Sequence, residues 1–445
     1  MSVPVADLTS RRLRARLAHW QVEGRLPSIV AGLVRDGDLV WCDGYGDVPG
    51  DPSDVQYKIG SITKTVTAVL VHQLAGEGLL DLDAPVSAVL GEVGHGDRTS
   101  RQLLTHSSGM QAEPTGDWWE RAGRGSFPEL AEANDGSSPA FGVGERHHYS
   151  NLAYAVLGEV VARLRGATWW DCVDRRVLRP LGMDRTTYHP EEPHADGFSV
   201  HPFTGALLPE PNPDTGAMAP AGQLWSTITD LARWCRFLLQ GHPDVLPRPA
   251  LEAAYTPGPG DSATGLGAGQ ALGFQLARGG SGTLVGHSGS MPGFVATCFV
   301  DRIRRTGAMA LCNATAGMAA AVVAAGLLDE LELSEPTVLP PWQPSSPVPA
   351  ELHDVLGVWH WGATTLVLAW EGSTLVTRRG GLEIYRHVVR DGRIVGVSGH
   401  QAGEELRVVR RDDGTVSHLD LATFVLTRTP YDPSAPIPGG PPVEG

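Results

Sequence analysis

Apolar residues recur at helix or strand spacing along most of the first 333 residues of the chain. Near the N-terminus, Leu8, Leu13 and Leu17 share one helical face, which predicts an amphipathic surface helix. Two apolar runs follow, and the sequence Asp36-Gly37-Asp38 that joins them is typical of a β-hairpin turn. The chain therefore begins with a predicted helix followed by a hairpin.

The rest of this region alternates between helical, loop-rich and strand-like patterns. One helical pattern starts near residue 61 and ends where Gly76 and Gly78 interrupt it. The later segments predict helices and loops over 80–185, a long ordered surface excursion over 187–222, a helix capped by Ser226 or Thr227, short strands over 271–312 and an apolar helix over 316–333.

The last quarter of the chain has a different pattern. Six prolines between Ser334 and Ala350 predict a stiff, extended linker. Beyond them, short alternating segments at even spacing predict a small antiparallel barrel or curved sheet. We therefore divide the chain into a first domain over 1–333, a Pro-rich linker over 334–350, an all-β domain over 351–430 and a Pro/Gly-rich tail over 431–445.

Charge and composition exclude several classes of function. The net charge of −15 leaves no basic surface for nucleic acid and disfavours binding to an anionic membrane. No secretion signal and no apolar stretch of membrane-spanning length is present, so we expect a cytoplasmic location. The five cysteines have no C-x-x-C spacing, and no phosphate-binding or dinucleotide fingerprint occurs. We therefore expect no disulfide, metal or cofactor.

The first candidate for chemistry is Ser61, three residues before Lys64 at the start of the predicted helix. This spacing places both side chains on one helical face, and free N–H groups at a helix start suit a developing oxyanion. The chain holds 35 basic residues, of which only Lys58 and Lys64 are lysines. Arginine cannot act as a base in a protein, whereas a buried lysine can. Taken alone, the pair also fits a helix cap beside a solvated charge.

Two further motifs follow in order along the chain. Tyr149 and Asn151 precede an apolar helical run, where the tyrosine could relay a proton and the asparagine could bind a substrate amide. The stretch 286–290 (GHSGS) is strand-like, and its glycines would let a substrate backbone approach closely. The backbone N–H of Ser290 is a candidate second oxyanion donor beside that of Ser61. Each motif alone also fits a turn or hairpin edge.

Together these motifs resemble the serine β-lactamase and penicillin-binding-protein superfamily, in its class C-like branch. The matching words are SITK at 61–64, LLTHSSGM at 103–110, YSN at 149–151, LGMDRT at 181–186, PAGQLWSTITDLARW at 220–234 and GHSGSMPGF at 286–294. The resemblance implies an α+β fold, with an antiparallel sheet flanked by helices and a helical subdomain, and the active site at their junction.

The same resemblance implies a role for each motif residue. Ser61 would be the acylated nucleophile, Lys64 its general base, Tyr149 the proton relay and Asn151 a substrate-orienting amide. His287 stands where many members carry the lysine of a K-T-G triplet, and this departure makes β-lactamase or carboxypeptidase activity less expected.

The remaining expectations concern contacts with the substrate. Trp118 and its neighbour Trp119 fit either a substrate groove or a loop anchor. We take Trp118, Trp225 and Gly289 as substrate contacts, and His106 as a structural residue.

Three functions remain open at this point. The first is a penicillin-binding-protein-type thioesterase, like the surugamide-type cyclases of nonribosomal peptide assembly, which carry a lipocalin-like C-terminal domain. It would accept a peptidyl or acyl group from a pantetheinylated carrier protein and release a macrolactam. The second is a cytoplasmic esterase or D-stereospecific peptidase that uses water as acceptor. The third is a catalytically silent binding protein, against which the intact Ser61, Lys64 and Tyr149 argue.

Overall fold

The computed structural model describes residues 3–123, 125–258, 268–280, 282–336, 338, 341–342 and 347–431. The chain divides into two compact units, Met1–Thr337 and Val338–Gly445. The tail predicted over 431–445 lies, apart from its first residue, outside the described residues.

The helices of the first unit surround a central sheet. They are α1 (Asp7–Gly24), α2 (Thr63–Gly76), α3 (Ser87–Leu90), α4 (Ser100–Leu104), α5 (Trp119–Ala122), α6 (Phe127–Ala133), α7 (Asn151–Arg165), α8 (Trp169–Val173), α9 (Arg179–Leu181), α10 (Ala219–Gly222), α11 (Ile228–Gln240), α12 (Arg248–Ala254) and α13 (Ala320–Ser334). No helix in the described ranges is long and apolar enough to cross a membrane.

The strands of the first unit form one large antiparallel sheet and two small ones. They are β1 (Ser28–Arg35), β2 (Asp38–Gly46), β3 (Tyr57–Lys58), β4 (Phe198–Val200), β5 (Leu207–Pro209), β6 (Trp225–Ser226), β7 (Ala268–Gln270), β8 (Gln275–Arg278), β9 (Thr283–Met291), β10 (Phe294–Asp301) and β11 (Thr306–Cys312). The large sheet has the order β2-β1-β11-β10-β9-β8-β7, while β3 pairs with β6 and β4 with β5.

Helices cover both faces of the large sheet. Helices α1 and α13 pack on one face through Leu13, Leu17 and Leu327, and α11 packs on the other through residues such as Phe237. The central strands β10 and β11 are therefore buried along their whole length. Their sequences show apolar runs without alternation because neither face meets water.

The early predictions agree well with these elements. The predicted hairpin is β1–β2, and Asp36 and Gly37 in its turn have φ of 52° and 91°. Thr227, not Ser226, caps α11, because its side chain accepts the N–H of Asp230.

One prediction in this unit was wrong in part. The excursion predicted over 187–222 does carry the surface hairpin β4–β5, but its end is not on the surface. Ala219 and Ala221 are buried because α10 packs between α2 and α7.

The second unit is an eight-stranded antiparallel meander. Its strands are β12 (Gly357–Trp361), β13 (Thr364–Glu371), β14 (Thr374–Arg379), β15 (Leu382–Arg390), β16 (Arg393–Gly396), β17 (Glu405–Arg410), β18 (Val416–Leu421) and β19 (Phe424–Leu426). His360 and Thr427 exchange two backbone hydrogen bonds of 2.7 and 2.9 Å, which bring the first strand back against the end of the last. The buried Trp359 packs among leucines inside, under the Arg428 guanidinium at 3.9 Å. The predicted fold class, an α+β domain followed by a small barrel-like sheet, is confirmed.

Candidate active site

Ser61 and Lys64 lie at the junction between the large sheet and the helical region. Ser61 belongs to a 3₁₀ turn, Gly60–Ile62, that leads directly into α2, and Lys64 lies in the first turn of that helix. The Lys64 Nζ donates hydrogen bonds to the Ser61 Oγ at 2.8 Å and to the Ala221 carbonyl oxygen at 2.7 Å. The expected nucleophile and the expected base are thus in direct contact, and the lysine has a fixed orientation.

The charge state of Lys64 follows from its surroundings. The side chain is fully buried, and this burial lowers its pKa to about 7, against the opposing effect of Glu113 and Glu120. A large fraction of the amine is therefore neutral near pH 7 and able to take a proton from Ser61.

Tyr149 stands beside this pair. Its ring centroid is 5.0 Å from the Lys64 Nζ, and burial raises the pKa of its phenol while contact with the Ser61 hydroxyl partly offsets the rise. The phenol is therefore protonated at neutral pH and can pass a proton on. His106 holds the ring in place, with its own ring 4.3 Å away and its Nδ1 accepting the N–H of Ser150 at 3.0 Å.

Asn151 begins helix α7 and faces a carboxylate. Its Nδ2 donates to Glu113 Oε1 at 2.7 Å, and the other carboxylate oxygen accepts the indole N–H of Trp119 at 2.7 Å. The carboxylate can only accept, which fixes the orientation of the amide. The buried Asn151 Oδ1 has no hydrogen-bond partner among the described residues, so this acceptor is available to a substrate N–H.

Strand β9 supplies the opposite side of the site. A two-residue turn joins Met291 to Phe294, so the next pair, Ser290 and Val295, is of the non-hydrogen-bonded type. The N–H of Ser290 therefore points away from β10. On that side β8 pairs with β9 only as far as Gly286, so the edge of β9 at Ser290 is not paired with β8. Ser288, two residues earlier, points the same way and donates to the side chain of Gln275 at 2.9 Å.

Two glycines let this edge of β9 contact the 3₁₀ turn that carries Ser61. A Cβ on Gly60, whose φ is +51°, would lie 2.6 Å from the Ser290 nitrogen. A Cβ on Gly289 would lie 2.0 Å from the Ile59 oxygen and 3.1 Å from the Ser61 nitrogen. The backbones that carry the two expected oxyanion donors therefore pack directly against each other.

His287 is neutral at physiological pH. Burial lowers its pKa to about 3, with Lys64 as a second cause, and its Nδ1 donates to the Ser288 carbonyl oxygen at 2.5 Å. Its buried Nε2 is then an acceptor, and it has no partner among the described residues. The site has no fixed cation at this position.

The two tryptophans expected to contact substrate lie in different surroundings. Trp118 is 58% exposed, and its indole N–H donates to Glu120. The expectation for Trp225 was wrong, because that residue is 1% exposed. The pairing of β3 with β6 holds its ring in the core against Phe294, with centroids 5.1 Å apart.

Trp119, for which the sequence allowed either a substrate groove or a loop anchor, lies at the site. Its ring is 3.7 Å from a Cβ placed on Gly222, and that Cβ would be equally close to Gly60. The sequence did not indicate two further features of the site. Glu113 lies in a loop without a recognisable pattern, and Ala221 contributes only a carbonyl, which any residue could supply. Within the described part of the chain, no cluster of three metal-ligating side chains occurs.

Comparison with known families agrees with this geometry. Residues 10–332 match the family described as Beta-lactamase, and residues 348–428 match a domain of unknown function, DUF7586.

Curated relatives match over part of the chain. Beta-lactamase-like protein 2 of Dictyostelium discoideum is 28% identical over 255 residues, which are 52% of this chain and 46% of that protein. Penicillin-binding protein 4 of Amycolatopsis lactamdurans is 30% identical over 254 residues, which are 50% of this chain and 64% of that protein. The match thus spans less than two thirds of the length of either relative.

Solved structures match over more of it. A D-stereospecific amidohydrolase from Streptomyces sp. is 27% identical, with a TM-score of 0.62, over 73% of this chain and 98% of that one. SurE with D-Leu is 26% identical, with a TM-score of 0.59, over 95% of this chain and all of that one.

Proposed function

The chain belongs to the β-lactamase family, and from this premise we propose that it is an acyltransferase that releases peptides from a carrier-protein thioester by cyclisation. The observation that carries the acyl-transfer step is the 2.8 Å contact between the Lys64 Nζ and the Ser61 Oγ, in a site where the amine has a pKa of about 7. No cofactor takes part in this proposal.

The first half of the reaction loads the serine. Lys64 takes the proton of the Ser61 hydroxyl as Oγ attacks the thioester carbonyl, and the backbone N–H groups of Ser61 and Ser290 stabilise the oxyanion. The C–S bond then breaks, and the thiolate receives a proton through Tyr149. The product is an ester between Ser61 and the acyl group.

The second half needs an amine as nucleophile. The N-terminal amine of the bound peptide attacks the ester, the C–N bond forms, and the C–Oγ bond breaks. The amine proton returns to the Ser61 Oγ through Tyr149 and Lys64. The neutral Nε2 of His287 and the Oδ1 of Asn151, both without partners among the described residues, would accept N–H groups of the peptide.

Two observations support a peptide with a D-configured residue at the acylated end. SurE has been solved with D-Leu, and the other structural neighbour described above is a D-stereospecific amidohydrolase. The match to SurE extends over 95% of the chain, whereas that to the amidohydrolase covers 73%. The motifs and the C-terminal β domain resemble those of surugamide-type cyclases, so cyclisation is our first proposal. Hydrolysis of D-configured amides or esters by the same residues is the second candidate.

The experiment compares two matched peptidyl-pantetheine thioesters with a C-terminal D-residue, one with a free N-terminal amine and one N-acetylated. With the purified full chain, we expect a cyclic product only from the free amine, as measured by mass spectrometry. Ser61→Ala is the control and should release no thiol above background. Linear acid from both substrates at equal rates would contradict cyclisation and support the hydrolase.

A further inference from the structure

A cavity of about 780 Å³ lies in the first unit, outside the site described above. Helix α7, helix α8 and the segment around residues 216–220 line it. Its volume falls in the range of about 300–1,000 Å³ that is typical of small-molecule sites.

The lining of this cavity indicates the kind of molecule that fits it. Part of the lining is a face of α7 at helical spacing, on which Ala155, Gly158 and Ala162 are small and Glu159 carries a carboxylate. Aromatic rings make up much of the rest, namely Phe127, Trp169, Trp170 and Tyr188. Small residues together with aromatic rings leave room for a planar aromatic ligand and give it surfaces to stack on.

The charges around the cavity favour an uncharged ligand. No lysine or arginine occurs among the described residues that line it. Its one carboxylate, Glu159, already accepts a hydrogen bond from Arg163 at 2.7 Å. The one basic side chain among these described lining residues is the imidazole of His189, so an anion would find no lysine or arginine here, and a cation would have to compete with Arg163 for Glu159.

Hydrogen bonds connect the wall of the cavity to the catalytic base. The indole N–H of Trp169 donates to Thr67 Oγ1 at 3.1 Å, and Thr67 donates in turn to the Pro220 carbonyl at 2.9 Å. Thr67 lies one turn after Lys64 on α2, and the carbonyl next to that of Pro220, on Ala221, accepts the hydrogen bond of Lys64. Ala219 and Pro220 themselves line the cavity.

We propose that this cavity binds an uncharged aromatic small molecule and that binding changes the rate of Ser61 acylation by shifting the segment that orients Lys64. Binding at this cavity does not depend on which acyl group the enzyme accepts.

The test titrates N-phenyl-1-naphthylamine, an uncharged fluorescent aromatic compound, into the full chain. We expect saturable one-site binding with a Kd on the order of 1–100 µM. Ala162→Trp fills the cavity and should weaken binding at least about tenfold. Val322→Trp, on the exposed face of α13, adds the same fluorophore elsewhere and should leave binding unchanged. If Ala162→Trp fails to fold, Trp170→Ala serves instead and should also weaken binding.

The coupling is tested with an activated p-nitrophenyl ester. We expect the pre-steady-state acylation rate of the wild type to change at least about threefold at saturating compound, and that of Ala162→Trp not to change. Binding to Ser61→Ala should equal that of the wild type, which separates this inference from the proposed reaction. Unsaturable binding, or affinity unaffected by both cavity variants, would overturn the site. Saturated binding without a rate change would overturn the coupling.

Discussion

Lys64 and Lys58 are both buried, yet their surroundings are built differently. The Nζ of Lys64 is bound to a hydroxyl and a carbonyl, at 2.8 and 2.7 Å. The Nζ of Lys58 lies 6.0 Å from the centroid of the Trp225 ring and makes no hydrogen bond or ion pair with any residue in the described ranges. Burial lowers the pKa of both amines, to about 7 and about 8 respectively.

The difference teaches what makes a buried lysine a base. A lowered pKa supplies a neutral amine in both places, so the pKa alone does not distinguish the two residues. Only Lys64 has an acidic proton within reach and a second acceptor that orients its lone pair toward it. Substitutions at the two lysines separate the lowered pKa from the contact with Ser61.

The largest effect is expected at the nucleophile and its base. Ser61→Ala should form no acyl adduct by mass spectrometry with an activated ester. Lys64→Arg keeps the charge but cannot accept a proton, so acylation should fall by about 10²–10⁴-fold. Lys58→Met is the matched control, and its acylation rate should stay within about threefold of the wild type. A Lys64→Arg enzyme at the wild-type rate would exclude Lys64 as the base.

Removal of the phenol of Tyr149 should have the next largest effect. Tyr149→Phe keeps the ring between Lys64 and His106 but loses the proton relay, so acylation should slow by about 10²-fold. The sharper measurement uses leaving groups of different basicity. A p-nitrophenolate needs no proton, so the defect should be much smaller with it than with an alkyl thiol. An equal defect for both leaving groups would contradict the relay.

The pH dependence should report Lys64 and not Lys58. The base acts in its neutral form, so the acylation rate should rise as pH increases and level off above about 7. At pH 5 the rate should be about 100-fold below the plateau, since each pH unit below the pKa costs tenfold. Lys58→Met should show the same profile. A shift in the midpoint of the pH profile of Lys58→Met would show that Lys58 controls the pKa of Lys64.

A smaller effect is expected from the carboxylate that holds Asn151. Glu113→Gln can present its amide NH₂ to the asparagine, which would then turn its own oxygen inward and lose the available acceptor. We expect KM for a peptidyl substrate to rise by about three- to tenfold while kcat changes little. Glu132→Gln, on the nearby helix α6, is a control for the loss of one negative charge. A loss in kcat alone would contradict this positioning role.

The smallest effect concerns stability. In the folded state Lys64 has a pKa of about 7 against an ordinary value of 10.5, so folding releases protons between these values and stability rises with pH across that window. Lys64→Met should therefore be more stable than the wild type at pH 6, and the advantage should shrink by about 1 kcal/mol by pH 8. For Lys58→Met the advantage should begin to shrink only near pH 8. Urea unfolding at each pH measures both.

The sequence indicated the parts of the site that depend on side chains in short sequence motifs. Ser61 and Lys64 were found from their helical spacing, and Tyr149 from its order in the chain. The motifs could not indicate Ala221, because a position that contributes only its backbone carbonyl can be occupied by any residue type. The prediction for Trp225 was wrong because a tryptophan inside the matching stretch PAGQLWSTITDLARW at 220–234 fits a cleft as well as a core. Only the pairing of β3 with β6 decides between them.

The fold shows the same limit. The alternating pattern beyond residue 350 fitted either a barrel or an open curved sheet, since both have the same strands. The two backbone hydrogen bonds between His360 and Thr427 distinguish the closed barrel from the open sheet. These residues are far apart in sequence, and nothing in their local pattern predicts that they pair. Local sequence patterns determine where helices and strands form. The closure of the sheet and the burial of individual side chains depend on contacts between segments that are distant in sequence.

The close packing of Gly60 against Ser290, and of Gly289 against Ile59, has a consequence for directed evolution of this protein. Neither position has room for a side chain, so random libraries at these two residues should consist almost entirely of inactive clones. We expect variation that changes which acyl groups are accepted at Trp118 instead, because its exposed side chain can differ in size. Selection for new products would therefore leave the oxyanion-binding backbone untouched and accumulate its changes at the rim.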